Sequence, residues 1–386
     1  MRGHSPEWLP GKEIMKLRIA NLSIERFRSL RQLKLEGLGR VNLITGCNNS
    51  GKSSVLEALR ILASDASPAV LFDILRYREE NLGDADERSR GAGAEGPAQI
   101  SSLFPGFPAL DKIEAPIVIA SNGSNAPVKL SLAVGWFSEQ RDPDGFRRLL
   151  PQQPQLFSET ELIPALVVEA GSVRKIMPLD NFRRLSRRLP GVPVEEPRIP
   201  CVYVSPYGSE HTAAFGPLWD KIALSDREHE VVDALRIITP DIAAVSMVGG
   251  EGSRQPRMAI VKAKGQPRPL PLRSFGDGLN RLFGIVLSLA NAKNGLLLID
   301  EVENGMHHAT QADVWRAVFR LSKRLNAQVF ATSHSWDSIE AFQKAAAEDA
   351  EDGVLIRLSR RGDEVIPTLF REDELAVATR DGIEVR

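Results

Sequence analysis

The sequence predicts an α/β fold with a largely parallel sheet, and three segments carry that prediction. The apolar strand VNLIT (41–45) runs directly into the loop GCNNSGKSS (46–54), and a helical pattern follows it. The fully apolar run GLLLID (295–300) is typical of a buried parallel strand, and AQVFATSHS (327–335) repeats the order of strand and then loop. Apolar strands that alternate with helices indicate crossover connections, and therefore a parallel sheet.

The other elements follow in chain order. Alternation of apolar and polar residues predicts strands at LRIANLSIERF (17–27) and LRQLKLEGL (30–38), and SSVLEALRILA (53–63) has apolar residues at helical spacing. Residues 79–108 are rich in Gly, Ala and charge, and we expect them to form a mobile insertion. Further strands are predicted at PIVIA (116–120), VKLSLAVGWF (128–137), ALVVEA (165–170), CVYVS (201–205) and RMAIVKAK (257–264), and helices at 218–238, 279–292 and 312–325.

Composition excludes several classes of protein. The 386 residues are 42% hydrophobic and 26% charged, which is typical of a globular chain. The formal charge of -1 gives no overall basic field for nucleic acid, and two cysteines are too few for a disulfide framework or a four-ligand zinc site. The longest apolar stretch, FGIVLSLA (283–290), is too short to span a bilayer. We therefore expect a cytoplasmic protein without a membrane partner.

The spacing G-x-x-x-x-G-K-S in residues 46–53 predicts a phosphate-binding loop. In such a loop, backbone N–H groups point at phosphate oxygens and the following helix presents its positive N-terminal end. Lys52 would reach the β and γ phosphates, and Ser53 would place its hydroxyl on Mg²⁺. A glycine-rich helix entry without a ligand is the alternative. The predicted nucleotide-binding residues of the loop are Asn48, Asn49, Ser50, Gly51, Lys52, Ser53 and Ser54.

Asp300 ends the run GLLLID and Glu301 follows it, and both carboxylates are candidates for metal binding and catalysis. If this strand is a parallel neighbour that opens beside the loop, Asp300 would bind Mg²⁺ through water or Ser53. Glu301 would orient or deprotonate the attacking water. His334 ends the next apolar strand, where it would contact the γ-phosphate as a sensor. The alternatives are an acidic pair that only ends a strand and an ordinary surface histidine.

Several motifs occur together in one order, and together they are specific. They are IERFRSL (24–30), TGCNNSGKSSVLEALR (45–60), PLRSFGDGLNRLFGIVLSLA (271–290), LLLIDEVENGMHH (296–308) and VFATSHS (329–335). With these motifs the chain resembles the ABC-type ATPase heads of the RecF, SMC and OLD group, and most closely the stand-alone bacterial ATPases of that group. The resemblance implies an ABC-ATPase head, in which a P-loop NTPase core with a mostly parallel sheet carries an antiparallel β lobe and a helical lobe.

The resemblance also implies the domain organisation. Residues 15–386 would form one head, and the unpatterned extension at 1–14 makes Met15 a second candidate start. Residues 15–140 would form the N-terminal β lobe with the phosphate-binding loop, 141–250 a middle helical lobe, and 251–386 the lobe with the signature, acidic and histidine motifs. The chain lacks the long coiled coils of SMC proteins, the hook of zinc-hook ATPases, and the room after His334 for the Toprim domain of OLD nucleases.

The resemblance gives SFGDG (274–278) a role that spacing could not show. Ser274, Gly276 and Asp277 stand where the group has its signature motif, which contacts the γ-phosphate of ATP held by the other subunit. Two copies would then form a homodimer that sandwiches two ATP molecules with Mg²⁺. Phe275 stands where the usual Leu-Ser-Gly-Gly-Gln/Glu motif has its first glycine. A plain turn with a helix N-cap is the alternative.

Three further positions follow from the resemblance. Arg28 in FRSL would approach the nucleotide from the first strands, although an ordinary exposed arginine fits nearly as well. Residues 303–306 would form a loop that crosses the dimer interface. The glutamine loop of ABC heads is best sought in CVYVSPYGSE, which ends at Glu210.

These residues favour an ATP-hydrolysing molecular switch that dimerises around ATP and controls a separate protein effector, with phage defence as a candidate setting. The second hypothesis is a RecF-like repair ATPase that binds DNA, for which the basic candidates are residues 181–188 and 254–273. A basic run is usually only a solvated face. A third hypothesis is a nucleotide-binding scaffold without hydrolysis, and the intact set of Lys52, Asp300, Glu301 and His334 argues against it.

Overall fold

The computed structural model describes residues 17–80, 100–123, 126–141, 147–152, 162–179, 197–206, 215–249, 257–348 and 353–386. The helices are α1 Lys52–Ala63, α2 Pro68–Tyr77, α3 Phe215–Asp220, α4 Asp226–Leu235, α5 Asp277–Asn291, α6 His308–Arg324, α7 Trp336–Ala346 and α8 Glu372–Arg380. The strands are β1 Asn21–Phe27, β2 Leu30–Glu36, β3 Val41–Thr45, β4 Ile117–Asn122, β5 Val128–Arg141, β6 Arg147–Gln152, β7 Ile163–Ala170, β8 Val173–Pro178, β9 Cys201–Val204, β10 Ile242–Val248, β11 Met258–Ala263, β12 Leu270–Pro271, β13 Leu296–Ile299, β14 Gln328–Thr332, β15 Gly353–Arg361 and β16 Glu364–Phe370.

A six-stranded sheet carries the candidate site, in the order β16-β15-β3-β14-β13-β9. The strands from β15 to β9 are parallel, and β16 pairs antiparallel with β15 at one edge. Every residue of β3, β13 and β14 is buried, because other elements cover both faces of the sheet. The predicted α/β fold with a mostly parallel sheet is confirmed.

The order of the central strands differs from our expectation in one respect. We expected the acidic strand to neighbour the strand before the loop, but β14 lies between β3 and β13 and pairs with both. The carboxyl ends of parallel strands open at the same edge of a sheet. Asp300 after β13 therefore reaches Ser53 at the start of α1, and Thr332 at the end of β14 reaches Asp300.

The antiparallel β lobe is a seven-stranded sheet with the order β2-β1-β4-β5-β7-β8, in which β6 also pairs with β5. A separate small sheet has the order β10-β11-β12. Helices α3 and α4 pack on α5, where the rings of Phe215 and Phe283 meet edge to face at 5.4 Å. The β lobe and the helical elements expected of an ABC-ATPase head are therefore both present.

Several elements escaped sequence-based prediction. The helical pattern at 218–238 forms two helices, α3 and α4, because the chain turns between them and Leu224 adopts a left-handed conformation with φ 60°. Residues 100–108 of the expected insertion include a 3-10 turn at Ile100–Leu103, whereas residues 81–99 lie outside the described part of the chain. The elements that no pattern predicted are α2, α7, α8, β6, β8, β10, β12, β15 and β16.

The two faces of the parallel sheet pack into two hydrophobic cores. Along β13, Leu297 and Ile299 pack with α5, α6 and α7, whereas Leu296 and Leu298 pack with α1 and the antiparallel sheet. This alternation follows from the two-residue period of a strand. Helix α1 is buried along most of its length and packs in one core with residues of both sheets.

Gly295 sets the distance between β13 and its neighbour β9. The N–H of Leu296 donates to the carbonyl of Pro200 at 2.8 Å, and a Cβ built on Gly295 would lie 2.0 Å from that same oxygen. Only glycine allows this approach, and from this end β13 and β9 pair in parallel from Leu296 with Cys201 to Ile299 with Val204, just before Asp300.

We predict that Gly295→Ala destabilises the protein by about 1–3 kcal/mol, because the new methyl group collides with backbone that cannot rotate away. Urea unfolding provides the measurement. Gly278→Ala is the matched control, since a Cβ there would lie 3.7 Å from the hydroxyl of Thr310 and leave the packing intact. Equal stability of the two variants would contradict the prediction.

Candidate functional site

The loop predicted to bind phosphate joins β3 to α1. Helix α1 begins at Lys52, and its N-cap is Gly51, with φ 95° and no side chain to cap the first turn. Asn49 also adopts a left-handed conformation, with φ 64°. The first N–H groups of a helix have no partners within the helix, so this loop and helix end present donors to an anion.

Lys52 lies over the loop that precedes it. Its Nζ donates to the carbonyl oxygens of Gly46, at 2.7 Å, and Cys47, at 3.1 Å. Burial lowers the pKa of Lys52, while the negative charges of Asp300 and Glu301 oppose that shift. An anion in the loop would favour the charged amine and compete with the two carbonyls for it.

Asp300 joins three segments of the chain. Its Oδ1 accepts hydrogen bonds from Ser53 Oγ at 3.2 Å and from Thr332 Oγ1 at 2.5 Å, and its Oδ2 accepts one from Tyr203 at 3.4 Å. These donors come from α1, from β14 and from β9. The carboxylate is buried, so the hydroxyls replace the water that it loses.

Glu301 is held beside Asp300 by backbone and side-chain contacts. Its N–H donates to Thr332 Oγ1 at 2.8 Å, and its Oε2 accepts from Asn304 Nδ2 at 2.7 Å. Its backbone has φ 48°, a conformation that costs a non-glycine residue energy and that recurs at functional sites. The half-buried carboxylate faces the same cleft as the loop.

Arg281 and Tyr203 contact the turn formed by Asp300 and Glu301. The guanidinium of Arg281 donates to the carbonyl oxygens of Asp300, at 3.4 Å, and Glu301, at 3.2 Å. Burial lowers the pKa of Arg281 to about 10, so the group stays charged at neutral pH. Burial and the charge of Asp300 raise the pKa of Tyr203, so its hydroxyl remains a donor.

His334 contacts the loop that follows the acidic strand. Its N–H donates to Glu303 Oε1 at 2.9 Å, and its Nδ1 lies 3.1 Å from the same oxygen. Glu303 is buried, whereas the imidazole is 53% exposed. His334 is not among the described residues that line the cleft over the phosphate-binding loop predicted from the sequence.

A cleft of about 560 Å³ opens over the loop, and we name it the P-loop cleft. That volume is in the usual range for a small-molecule site. It brings together the predicted residues Arg28, Asp300, Glu301 and 48–54. The other residues that line it are Ser29, Arg78, Glu80, Phe104, Gly106, Phe107 and Arg360.

Arg28 lines the P-loop cleft, but its charge is already paired. Its guanidinium lies 2.5 Å from Glu57 and 2.8 Å from Glu80, and its side chain is only 6% exposed. Arg28 is therefore not the exposed arginine that the sequence left open. In this geometry it binds two carboxylates beside the cleft, and its predicted contact with nucleotide stays a prediction.

The signature segment lies apart from the P-loop cleft of its own chain. Ser274, Gly276 and Asp277 are exposed, and among the described residues none of them lines that cleft. Gly276 has φ 97°, and a Cβ there would meet no described atom within 4 Å. A glycine in open space leaves its backbone accessible to a ligand, while Phe275 packs against the core behind it.

The donors in the cleft fit Mg²⁺. Ser53 Oγ and Asp300 Oδ1 are 3.2 Å apart, close to the separation of about 3.0 Å between adjacent ligands of an octahedral Mg²⁺. Both are oxygen donors of the kind that this ion prefers. Within the described ranges, no three His, Cys, Asp or Glu residues are grouped so that they could hold a metal by themselves.

Several predictions fall outside the described ranges. They concern Glu210 and the basic stretch at 181–188. In the second basic stretch, Arg257 forms a bidentate ion pair with Asp220, with both distances at 2.5 Å, so its charge is neutralised. No helix in the described part of the chain is both long enough and apolar enough to cross a membrane.

Two family models match parts of this chain. A model described as an AAA ATPase domain matches residues 15–94, which include the predicted phosphate-binding loop. A model described as an AAA domain, putative AbiEii toxin, Type IV TA system, matches residues 232–339, which include the signature, acidic and histidine segments.

Individual proteins are similar over different lengths. An ATP/GTP phosphatase of Helicobacter pylori is 23% identical over 381 residues, which cover 92% of this chain and 96% of that protein. A DNA replication and repair protein RecF of Acinetobacter baylyi is 45% identical over 51 residues, only 14% of its length. An SMC head, crystallised with the C-winged helix domain of ScpA, shares the fold with a TM-score of 0.50, 13% identity and coverage of 92% of this chain and 98% of that one.

The fold and the cleft define a P-loop ATPase with a mostly parallel core sheet. The matched models and relatives support the predicted resemblance to ABC-type ATPases of the RecF and SMC group, and the SMC head shares the fold.

Sequence-based reasoning missed Thr332, Tyr203 and Arg281. Threonine, tyrosine and arginine are common residues, and only the strand order brings these three to Asp300 and Glu301. The position of Thr332 two residues before His334, at the end of an apolar strand, was the one available signal.

We predict that Thr332→Val lowers the kcat of ATP hydrolysis about 10- to 100-fold, because the shape is kept while Glu301 loses the acceptor that positions its backbone. The variant also leaves buried polar groups unpaired, at a cost of about 1–3 kcal/mol of stability. Steady-state ATPase assays and urea unfolding measure the two effects. Thr332→Ser keeps the hydroxyl and should stay near wild type; equal activity of Val and Ser variants would refute the role.

Proposed function

We propose that this ATPase is a molecular switch in which two copies close head to head around ATP and Mg²⁺ and thereby control a separate protein effector. The proposal rests on one observation: the predicted site residues form two groups that lie apart on one chain. The P-loop cleft holds the loop, Asp300 and Glu301, whereas the exposed signature residues Ser274 and Gly276 lie outside it. A second copy would supply what each cleft lacks.

Each residue has a defined part in this proposal. The loop from Asn48 to Ser54, with Lys52, would bind the phosphates, and Mg²⁺ held by Ser53 and Asp300 would neutralise charge on them. Glu301 would accept a proton from the attacking water, or orient it, while Asn304 and Thr332 fix its position. His334, paired with Glu303, would approach the γ-phosphate after a change of side-chain conformation or on closure.

Two comparisons are the basis for proposing a protein effector and a role in defence. The SMC head of similar fold was crystallised bound to a domain of ScpA, so a head of this fold can bind another protein. One matched family description names a putative toxin of a Type IV TA system. Control of the effector and its use in defence are our proposal.

Binding to DNA is the second candidate function. It is favoured by the local similarity to RecF. The described part of the second basic stretch offers less charge than its sequence suggests, because Arg257 is paired with Asp220. This ion pair removes one of the cations that a DNA clamp would need in this stretch.

We predict that Glu301→Gln binds ATP but hydrolyses it about 10²- to 10⁴-fold more slowly, because the amide cannot accept the proton of the attacking water. Light scattering should show ATP-dependent dimers that accumulate in this variant, since hydrolysis no longer separates them. Glu36→Gln, an exposed change on β2, is the control. Unchanged turnover in Glu301→Gln would remove this carboxylate from the mechanism.

A mixing experiment tests whether each site is shared between two chains. Lys52→Ala disables the cleft and Ser274→Arg blocks the signature, so each variant alone should be inactive. We predict that an equal mixture regains ATPase activity, because a mixed dimer contains one intact cleft facing one intact signature. Ser246→Arg, also at an exposed serine, should remain active by itself. An inactive mixture of folded variants would show that the sites are not shared.

A further inference from the structure

Part of the P-loop cleft is lined by aromatic side chains, which have no part in the proposed binding of phosphate and metal. The polar residues that would hold phosphate and metal are Lys52, Ser53 and Asp300. Phe104 and Phe107 line the same cleft elsewhere. Phe104 is 3% exposed and belongs to the core, whereas Phe107 is 65% exposed. Among the described residues that line the cleft, Phe107 is therefore the aromatic ring that a ligand can reach.

The segment that carries Phe107 is held firmly against the strands beside the loop. The N–H of Arg28 donates to the carbonyl of Leu103 at 2.8 Å, and the hydroxyl of Ser102 donates to Glu80 at 3.0 Å. The side chains of Leu103 and Phe104 are buried just before the turn. The exposure of Phe107 thus belongs to an ordered turn, and Arg28, through Leu103, holds this turn beside the cleft.

The backbone at Phe107 is also unfavourable for its side chain. Its φ is 51°, in the left-handed region where a bulky residue is rare, and its N–H donates to the carbonyl of Phe104 at 3.3 Å. Glycine would suit this conformation better, and a polar residue would suit the exposure. A large exposed ring on a strained backbone at the edge of a binding cleft is a combination found at functional sites.

We propose that Phe107 stacks on the base of the bound nucleotide and makes the site prefer purine over pyrimidine nucleoside triphosphates. This inference rests on the proposed binding of ATP in the cleft. With the triphosphate at Lys52 and Ser53, the base lies in the remaining part of the cleft, where Phe107 is the accessible aromatic surface. Stacking depends on the area of the two rings, so a purine gains more than a pyrimidine.

The test compares nucleotides with a ligand that has phosphates but no base. Binding of a non-hydrolysable ATP analogue, its GTP, CTP and UTP counterparts and inorganic tripolyphosphate, all with Mg²⁺, is measured by calorimetry. We expect Phe107→Ala to bind the purine analogues about 5- to 100-fold more weakly and to bind tripolyphosphate as wild type does. Phe107→Trp should bind purines at least as well as wild type.

Leu224→Ala is the matched control. Leu224 is fully exposed, has φ 60° and lies outside the P-loop cleft, so the change removes a similar apolar side chain from a similar backbone. Its nucleotide affinities should equal those of wild type. Phe107→Gly relieves the backbone conformation, so we expect weaker purine binding without a lower melting temperature, which separates the site from folding.

The outcomes separate this inference from the proposed function. If the wild-type protein binds neither the ATP analogue nor tripolyphosphate, the proposed ATP site itself fails. If wild type binds the ATP analogue and Phe107→Ala binds it equally well, the stacking role alone is overturned. Equal affinity with weaker ATP-dependent dimerisation would also overturn stacking and would assign Phe107 to the contact between copies.

Discussion

The candidate site depends on the hydrogen bonds that surround the buried carboxylate of Asp300. Hydroxyls of Ser53, Thr332 and Tyr203 reach it from three segments that are far apart in the sequence. A buried carboxylate without such partners would be costly, so the three segments are held together by the same contacts that prepare the site. The strand order brings these hydroxyls to Asp300, and Thr332 also accepts the hydrogen bond from the N–H of Glu301.

The predicted site residues form two separate groups on one chain. The P-loop cleft holds the loop, Asp300 and Glu301, whereas the exposed signature segment at the start of α5 does not line that cleft. Helix α5 also carries Arg281, which binds the carbonyls of Asp300 and Glu301. In the proposed dimer, a displacement of α5 by the second copy would therefore also move the backbone at Asp300 and Glu301. This physical link would let dimerisation and hydrolysis depend on each other.

Prediction from sequence succeeded where a segment is buried on both faces. The apolar runs of β3, β13 and β14 have no competing interpretation, and the loop after β3 has a fixed spacing of glycines and lysine. Prediction failed where pairing depends on distant partners. β8, with the sequence VRKIMP, has a charged and exposed pattern and becomes a strand only because β7 pairs with it. The position of β14 between β3 and β13 has no local signal either.

Local spacing and continuous burial were enough to predict the loop between β3 and α1, the acidic pair after β13, the resemblance to ABC-type ATPases and the mostly parallel sheet. The folded chain was needed to show which hydroxyls hold Asp300, that Arg28 is paired with Glu57 and Glu80, and that Phe107 lines the cleft. Those contacts join residues tens to hundreds of positions apart, and common residue types carry no mark of a partner that the fold alone brings near.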